Sequence, residues 1–157
     1  MLAQWPVNSN LEKNMSNSTI DLHMHTTYSD GSASPAEILH SAQEIGLKTI
    51  AITDHDNLHA YPEAAFIAEK LCLELATGVE LTTSWNIPAE KSGEASSRAV
   101  DVDLLGYYFD PQSDLIQACC QAAMLDLRAR IGDICLAMTQ AGFPISIFDV
   151  QDQNPHY

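Results

Sequence analysis

From residue 19 onward, short β-branched runs alternate with stretches whose apolar residues recur at helical spacing. Thr19 to His25 reads as a first strand. Ser34-Pro35-Ala36-Glu37 then opens a helix: Ser34 is the N-cap, Pro35 fits the first helical position, and Glu37 completes a capping box. Ile38, Leu39, Ala42 and Ile45 form the apolar stripe of that helix, and Gly46 ends it. His40 falls off the stripe and reads as a surface residue. Lys48 to Thr53 is a second strand, about Pro62 to Leu71 a second helix, and Leu73 to Glu80 a third strand. Ser84 to Arg98, with Pro88 and Gly93, reads as an exposed loop or insertion. Val100 to Phe109 is a fourth strand, whose Asp101 and Asp103 share what reads as a solvated face. Asp110-Pro111 opens a long helix with a buried stripe of Ile116, Cys119, Ala123, Leu127, Ile131, Ile134 and Met138, stopped by Gly142-Phe143-Pro144. Residues 1 to 18 read as a disordered polar leader, and Gln151 to Tyr157 form no recognisable element.

Strand, helix and strand in succession predict an α/β fold, with parallel strands joined by crossover helices. In such sheets functional residues gather at the carboxyl ends of the strands. His25 and Asp30 follow strand one, on which His23 lies; Asp54-His55-Asp56 follows strand two, and Glu80 ends strand three. These groups therefore meet on one rim. His23 and His25, two residues apart on a strand, project to the same side. His59 precedes the second helix as a loop histidine with no evident partner.

Size and charge narrow the functional classes. At 157 residues and 46% hydrophobic, the chain fits one globular domain. No apolar run reaches membrane-spanning length, and Met1-Leu2-Ala3-Gln4-Trp5-Pro6 lacks the features of a secretory signal. The four cysteines have no framework spacing and read as buried thiols of a reduced, cytoplasmic protein. A net charge of −14 with seven Lys and Arg disfavours nonspecific binding to nucleic-acid backbone. It leaves room for a phosphorylated substrate, because bound divalent metals reverse the local field.

His23, His25, Asp30, His55 and Glu80 offer three imidazoles and two carboxylates. Mixed nitrogen and oxygen donors suit zinc, manganese or iron, and more than four ligands suggest more than one ion. Two ions can share a carboxylate and clamp a phosphate.

The pattern resembles the PHP family (polymerase and histidinol phosphatase). The resemblance runs from about Ile20 to Phe148. It is carried by Asp21-Leu22-His23-Met24-His25-Thr26, Ser29-Asp30-Gly31, Pro35-Ala36-Glu37, Thr53-Asp54-His55-Asp56, Gly78-Val79-Glu80 and Leu104-Leu105-Gly106-Tyr107. The Ser-Asp-Gly and Thr-Asp-His-Asp forms look most like the stand-alone members, nucleoside 3′,5′-bisphosphate phosphatases and 5′-to-3′ exoribonucleases. The resemblance implies the amino-terminal part of a distorted (β/α)7 barrel spanning residues 19–157, with two or three divalent transition metals at its mouth in the complete enzyme. It further implies hydrolysis of phosphate esters of small nucleotides or RNA ends by metal-activated water. By position, His23 and His25 hold a first metal, Glu80 bridges two, and Asp30 and His55 hold another. His55 and Glu80 are the residues on which turnover is expected to depend.

Two features depart from the family pattern. Asp103 stands where the family usually has histidine, although a carboxylate still binds a hard metal. The family's later Asp-x-His pair has no counterpart after Phe148, and His156 comes too soon after the last helix to align with the later histidine. The chain alone is therefore expected to be inactive or nearly so. The other reading is a catalytically incompetent metal-binding or interaction module. Its cheapest discriminator is whether the downstream reading frame encodes the missing pair.

Overall fold

The computed structural model describes residues 19–92 and 97–153; the leader expected over residues 1–18, and His156, lie outside them. Four strands form one sheet in the order β1 (Ile20–Met24), β2 (Thr49–Ile52), β3 (Glu74–Ile87), β4 (Arg98–Tyr107). β1 pairs with β2 and β2 with β3 in parallel. The connections are α1 (Pro35–Glu44) and α2 (Tyr61–Leu71), as the alternating pattern predicts.

α1 begins at the expected capping box. Ser34 Oγ accepts the Glu37 backbone N–H, and the Glu37 carboxylate accepts the Ser34 N–H, which holds Glu37 below its ordinary 4.5. Gly46 closes the helix at φ +85°, where its N–H reaches the Gln43 carbonyl and that of Leu47 reaches Ala42. Leu39, Ala42, Ile50, Ile52, Ala60, Ala64 and Ala68 are buried together in one apolar cluster contributed by α1, β2 and α2. Alanines at 60, 64 and 68 keep the side of α2 that enters this cluster small. His40 is exposed, as expected.

The structure corrects four readings. First, Ser84 is not where a loop begins. β3 runs on to Ile87 and pairs antiparallel with β4, from Gly78 opposite Tyr107 to Ile87 opposite Arg98. Leu81, Thr83, Trp85 and Ile87 alternate with Thr82, Ser84 and Asn86, a strand pattern concealed by polar residues on a largely exposed hairpin. Pro88 and the short α3 (Ala89–Ser92) follow it. β4 is thus the one antiparallel member of the sheet, because a hairpin rather than a crossover delivers it.

Second, the long helix α4 spans Asp114–Gln140 with Ser113 as N-cap; Asp110-Pro111 forms a preceding turn in which the Asp110 carboxylate accepts the Gln112 N–H. Third, its inward face is the expected one only in part: Ile116, Ala123, Leu127 and Ile131 are half-buried. Cys120 and Cys135 are buried, whereas Cys119, Ile134 and Met138 are exposed. Cys72 is exposed as well, so only two of the four free thiols are buried. Apolar residues lie on several sides of α4, which leaves its periodicity ambiguous. Fourth, Gln151 to Gln153 belong to a short final helix, α5 (Ile147–Gln153). Its first turn is tied by Ser146 and Asp149, in the same reciprocal arrangement as Ser34 and Glu37.

The sheet is curled. Tyr107 on edge strand β4 donates its hydroxyl to the Leu22 carbonyl on the opposite edge strand β1, at 2.7 Å. Burial, followed by the carboxylates of Glu80 and Asp21, pushes the Tyr107 phenol above its ordinary 10.0.

Candidate metal centre

Each donor is delivered by a local device. His23 lies within β1, and His25 directly follows it. Beyond His25 the chain turns back on itself: the N–H groups of Ser29 and Gly31 both reach the Thr26 carbonyl. A Cβ on Gly31 would stand 2.1 Å from the His25 carbonyl oxygen, so the turn that brings Asp30 beside His25 requires glycine. Asp54, buried after β2, accepts the Thr26 N–H and the Thr26 hydroxyl at 2.6 Å, and the Ser29 hydroxyl at 2.7 Å. A carboxylate taken out of water is thereby fully engaged, and it fastens the His25–Asp30 turn to the end of β2.

His55 forms an isolated parallel bridge with Glu80, and the Asp56 N–H donates to the Glu80 carbonyl at 2.9 Å. Glu80 therefore sits inside a long strand, at the level where β2 ends, rather than at a strand terminus. Asp56, at φ +53°, accepts the Thr82 N–H. The Asn57 amide donates to the carbonyls of His55 and Tyr28, and its oxygen accepts the His59 N–H. His59, expected to lack a partner, also lies with its ring 6.4 Å from that of Tyr28.

The geometry brings all six expected side chains together. Nε2 of His23 and Nε2 of His25 lie 2.9 and 3.0 Å from Oε2 of Glu80, and 3.1 Å from each other. Nδ1 of His25 lies 3.1 Å from Asp30 Oδ1, without hydrogen-bond alignment. Nε2 of His55 stands 3.9 Å from both Asp30 and Glu80. Three groupings have donor atoms within 4.8 Å of one another: His23, His25 and Glu80; His25, Asp30 and His55; and His55, Glu80 and Asp103. Asp103 enters from β4, opposite Thr82.

This set fits divalent cations. A neutral His25 with its hydrogen on Nε2 turns a bare Nδ1 lone pair toward the Asp30 carboxylate. With the hydrogen on Nδ1, its Nε2 lone pair faces Glu80 instead. Nδ1 of His25 and Nδ1 of His55 are buried without a hydrogen-bond partner. A cation beside His25 would take up its lone pair, whereas for His55 it is Nε2, not Nδ1, that stands nearest the carboxylates. Separations near 3 Å are also those of adjacent ligands about 2.1 Å from a shared ion. A cavity of about 690 Å³ opens one residue past His55, lined by Asp56, Asn57 and His59 on one side and by Met124 and Arg128 of α4 on the other.

A curled α/β sheet with an imidazole–carboxylate cluster at its rim defines the class, and the sequence agrees. Residues 21–143 match the PHP domain family, and the chain belongs to it. It is 35% identical over 127 residues to a 5′-3′ exoribonuclease of Haemophilus influenzae, a match covering 79% of this chain and 41% of the relative. It is 38% identical over 66 residues to a 3′,5′-nucleoside bisphosphate phosphatase of Chromobacterium violaceum, covering 42% of this chain and 23% of that protein. Among solved structures, a protein assigned as a metal-dependent phosphoesterase from Bifidobacterium adolescentis superposes with a TM-score of 0.71 at 28% identity, covering 87% of this chain and 43% of that one. An amidohydrolase from Chromobacterium violaceum, solved with sulfate and no metal, superposes with a TM-score of 0.67 at 25% identity, covering 82% and 41%. The chain thus spans about two-fifths of the Haemophilus relative and less of the phosphatase. Among the described residues no helix is long and apolar enough to cross a membrane.

Sequence reasoning did not single out Asp54 and Tyr107. Asp54 stands inside the Thr53-Asp54-His55-Asp56 motif, and a carboxylate flanked by Thr and His at a strand end was the available signal. Nothing local marks Tyr107 as a clasp between the two edge strands.

Proposed function

We propose that residues 19–157 form a PHP unit whose rim holds divalent transition metals, of the manganese, zinc or iron kind, and serves hydrolysis of phosphate esters. The observation that carries this reading is the triangle of His23 Nε2, His25 Nε2 and Glu80 Oε2, with sides of 2.9 to 3.1 Å. His23 and His25 would hold one ion, Glu80 would reach a second through its other oxygen, and Asp30, His55 and Asp103 would complete the set. Metal bound there supplies Lewis acidity toward a phosphoryl oxygen and lowers the pKa of coordinated water. The chain's own part is to fix the imidazoles: Asp54 and Gly31 set the turn, and Asn57 and Asp56 set the loop carrying His55. The relatives' names support nucleotides or RNA ends as the substrate class. With net charge −14, recognition of such a substrate relies on bound cations rather than a basic surface.

A second reading, a metal-binding module without turnover, is favoured by the overlap of the three groupings. His25, His55 and Glu80 each serve in two of them, so six side chains cannot fill all three independently. The test of metal binding is elemental analysis of purified chain and of the His23→Ala/His25→Ala double variant. At least one equivalent should be bound by the wild type and lost in the variant; equal content in both would sink the assignment.

A further inference from the structure

We propose that the rim sorts metals by position: the His55–Glu80–Asp103 grouping discriminates least against hard, oxygen-preferring Mn²⁺, while the His23–His25–Glu80 grouping retains Zn²⁺. This rests on the metal-binding reading above and goes beyond it by giving the positions different preferences. Two groupings, His23–His25–Glu80 and His25–Asp30–His55, each pair two imidazoles with one carboxylate. The third reverses that ratio, with one imidazole and two carboxylates. Imidazole favours zinc and iron, whereas carboxylate and water suit manganese and magnesium. Zinc binds a given nitrogen and oxygen set more tightly than manganese, so sorting shows as a ratio of affinities rather than an absolute exclusion.

Position adds to composition. The His23–His25–Glu80 triangle closes to about 3 Å, with His23 on β1, His25 directly after it and Glu80 on β3. Asp103 is exposed on the β3–β4 hairpin, and His55 stands 3.9 Å from Glu80. The third grouping is therefore wider and wetter than the His23–His25–Glu80 triangle, which suits an ion that keeps several waters. Asp103 is the residue that decides it: an imidazole in its place would make this grouping match the other two.

The experiment is a competition at equilibrium. Purified metal-free chain is dialysed against fixed Zn²⁺ with rising Mn²⁺, then read by elemental analysis and by the paramagnetic resonance of bound Mn²⁺. The wild type should keep zinc on the histidine pair and take up manganese as a second class of site. Asp103→His should need about tenfold more Mn²⁺ to reach the same occupancy, and Asp103→Ala should lose the second class while keeping the first. Asp103→Asn, which keeps an oxygen but not the charge, should fall between. Circular dichroism checks each fold, and Asp103 lies on an exposed hairpin where substitution spares the core. Equal Mn²⁺-to-Zn²⁺ ratios in wild type and Asp103→His, with zinc still bound, overturn the sorting alone. Absence of any bound metal in the wild type overturns the metal centre itself, and the sorting with it.

Discussion

The Asp54 carboxylate bonds to none of the six donors, yet it governs two of them. Its carboxylate is 2% exposed and accepts three hydrogen bonds, all from Thr26 and Ser29. These fix the turn between His25 and Asp30. Asp54→Ala would strand those donors in a buried site, each at about 1–3 kcal/mol, so a loss of about 3–5 kcal/mol is expected. Asp54→Asn should cost less, because the amide oxygen still accepts on one side while its NH₂ opposes a donor on the other. Chemical denaturation measures both losses, and metal affinity should fall in parallel. Asp54→Ala as stable as the wild type would mean that the turn is held by Gly31 and the backbone bonds alone. The residue scale also marks where sequence reading stops. The meeting of His23, His25, Asp30, His55 and Glu80 was legible because strand ends restrict place. The support beneath them was not, because a buried aspartate that binds hydroxyls looks the same in sequence as one that binds metal.

At the scale of elements, legibility followed the strength of the local signal. α1 was readable end to end, because Ser34, Pro35, Glu37 and Gly46 each have a specific mechanical reason to sit where they do. β1, β2 and the start of β3 were readable from β-branched runs. The hairpin was not, since a solvated strand rich in Thr, Ser and Asn carries the composition of a loop. α4 shows a subtler failure: its existence was evident, but its inward face was legible only in part, because Leu115, Leu125, Ile134 and Leu136 leave apolar side chains on exposed faces. Thiol labelling tests that inward face. Cys72 and Cys119 should react readily in the native chain. Cys120 and Cys135 should react only on unfolding. Burial, then the Asp56 carboxylate and Cys119, pushes the Cys120 thiol up to about 11, which keeps it protonated and unreactive near neutral pH. Labelling of Cys120 ahead of Cys119 would mean that α4 packs on the face expected from its sequence stripe.

At the scale of the molecule, the curl and the donor count act together. The Tyr107–Leu22 bond draws the two edge strands toward each other, so β4 can bring Asp103 within reach of His55 and Glu80. Among the described residues β1 and β4 are the outer strands of the sheet order, and Ile20 and Leu104 on them are exposed. The Haemophilus relative extends well beyond the 41% that this chain matches. The 157-residue chain alone should therefore show little or no hydrolysis of nucleoside bisphosphates or short RNA ends. The reason is positional: shared donors can bind an ion without fixing where water and phosphorus meet, and a misplaced reacting group costs about 10²-fold for each ångström. Supplying the carboxyl-terminal part of a related barrel, fused or in trans, should restore turnover. That turnover should vanish with His55→Ala and with Glu80→Ala. Phosphate release assayed with and without added Mn²⁺ or Zn²⁺ is the readout. Robust metal-dependent hydrolysis by the chain on its own, abolished by Glu80→Ala, would show instead that these six side chains suffice to orient the reaction.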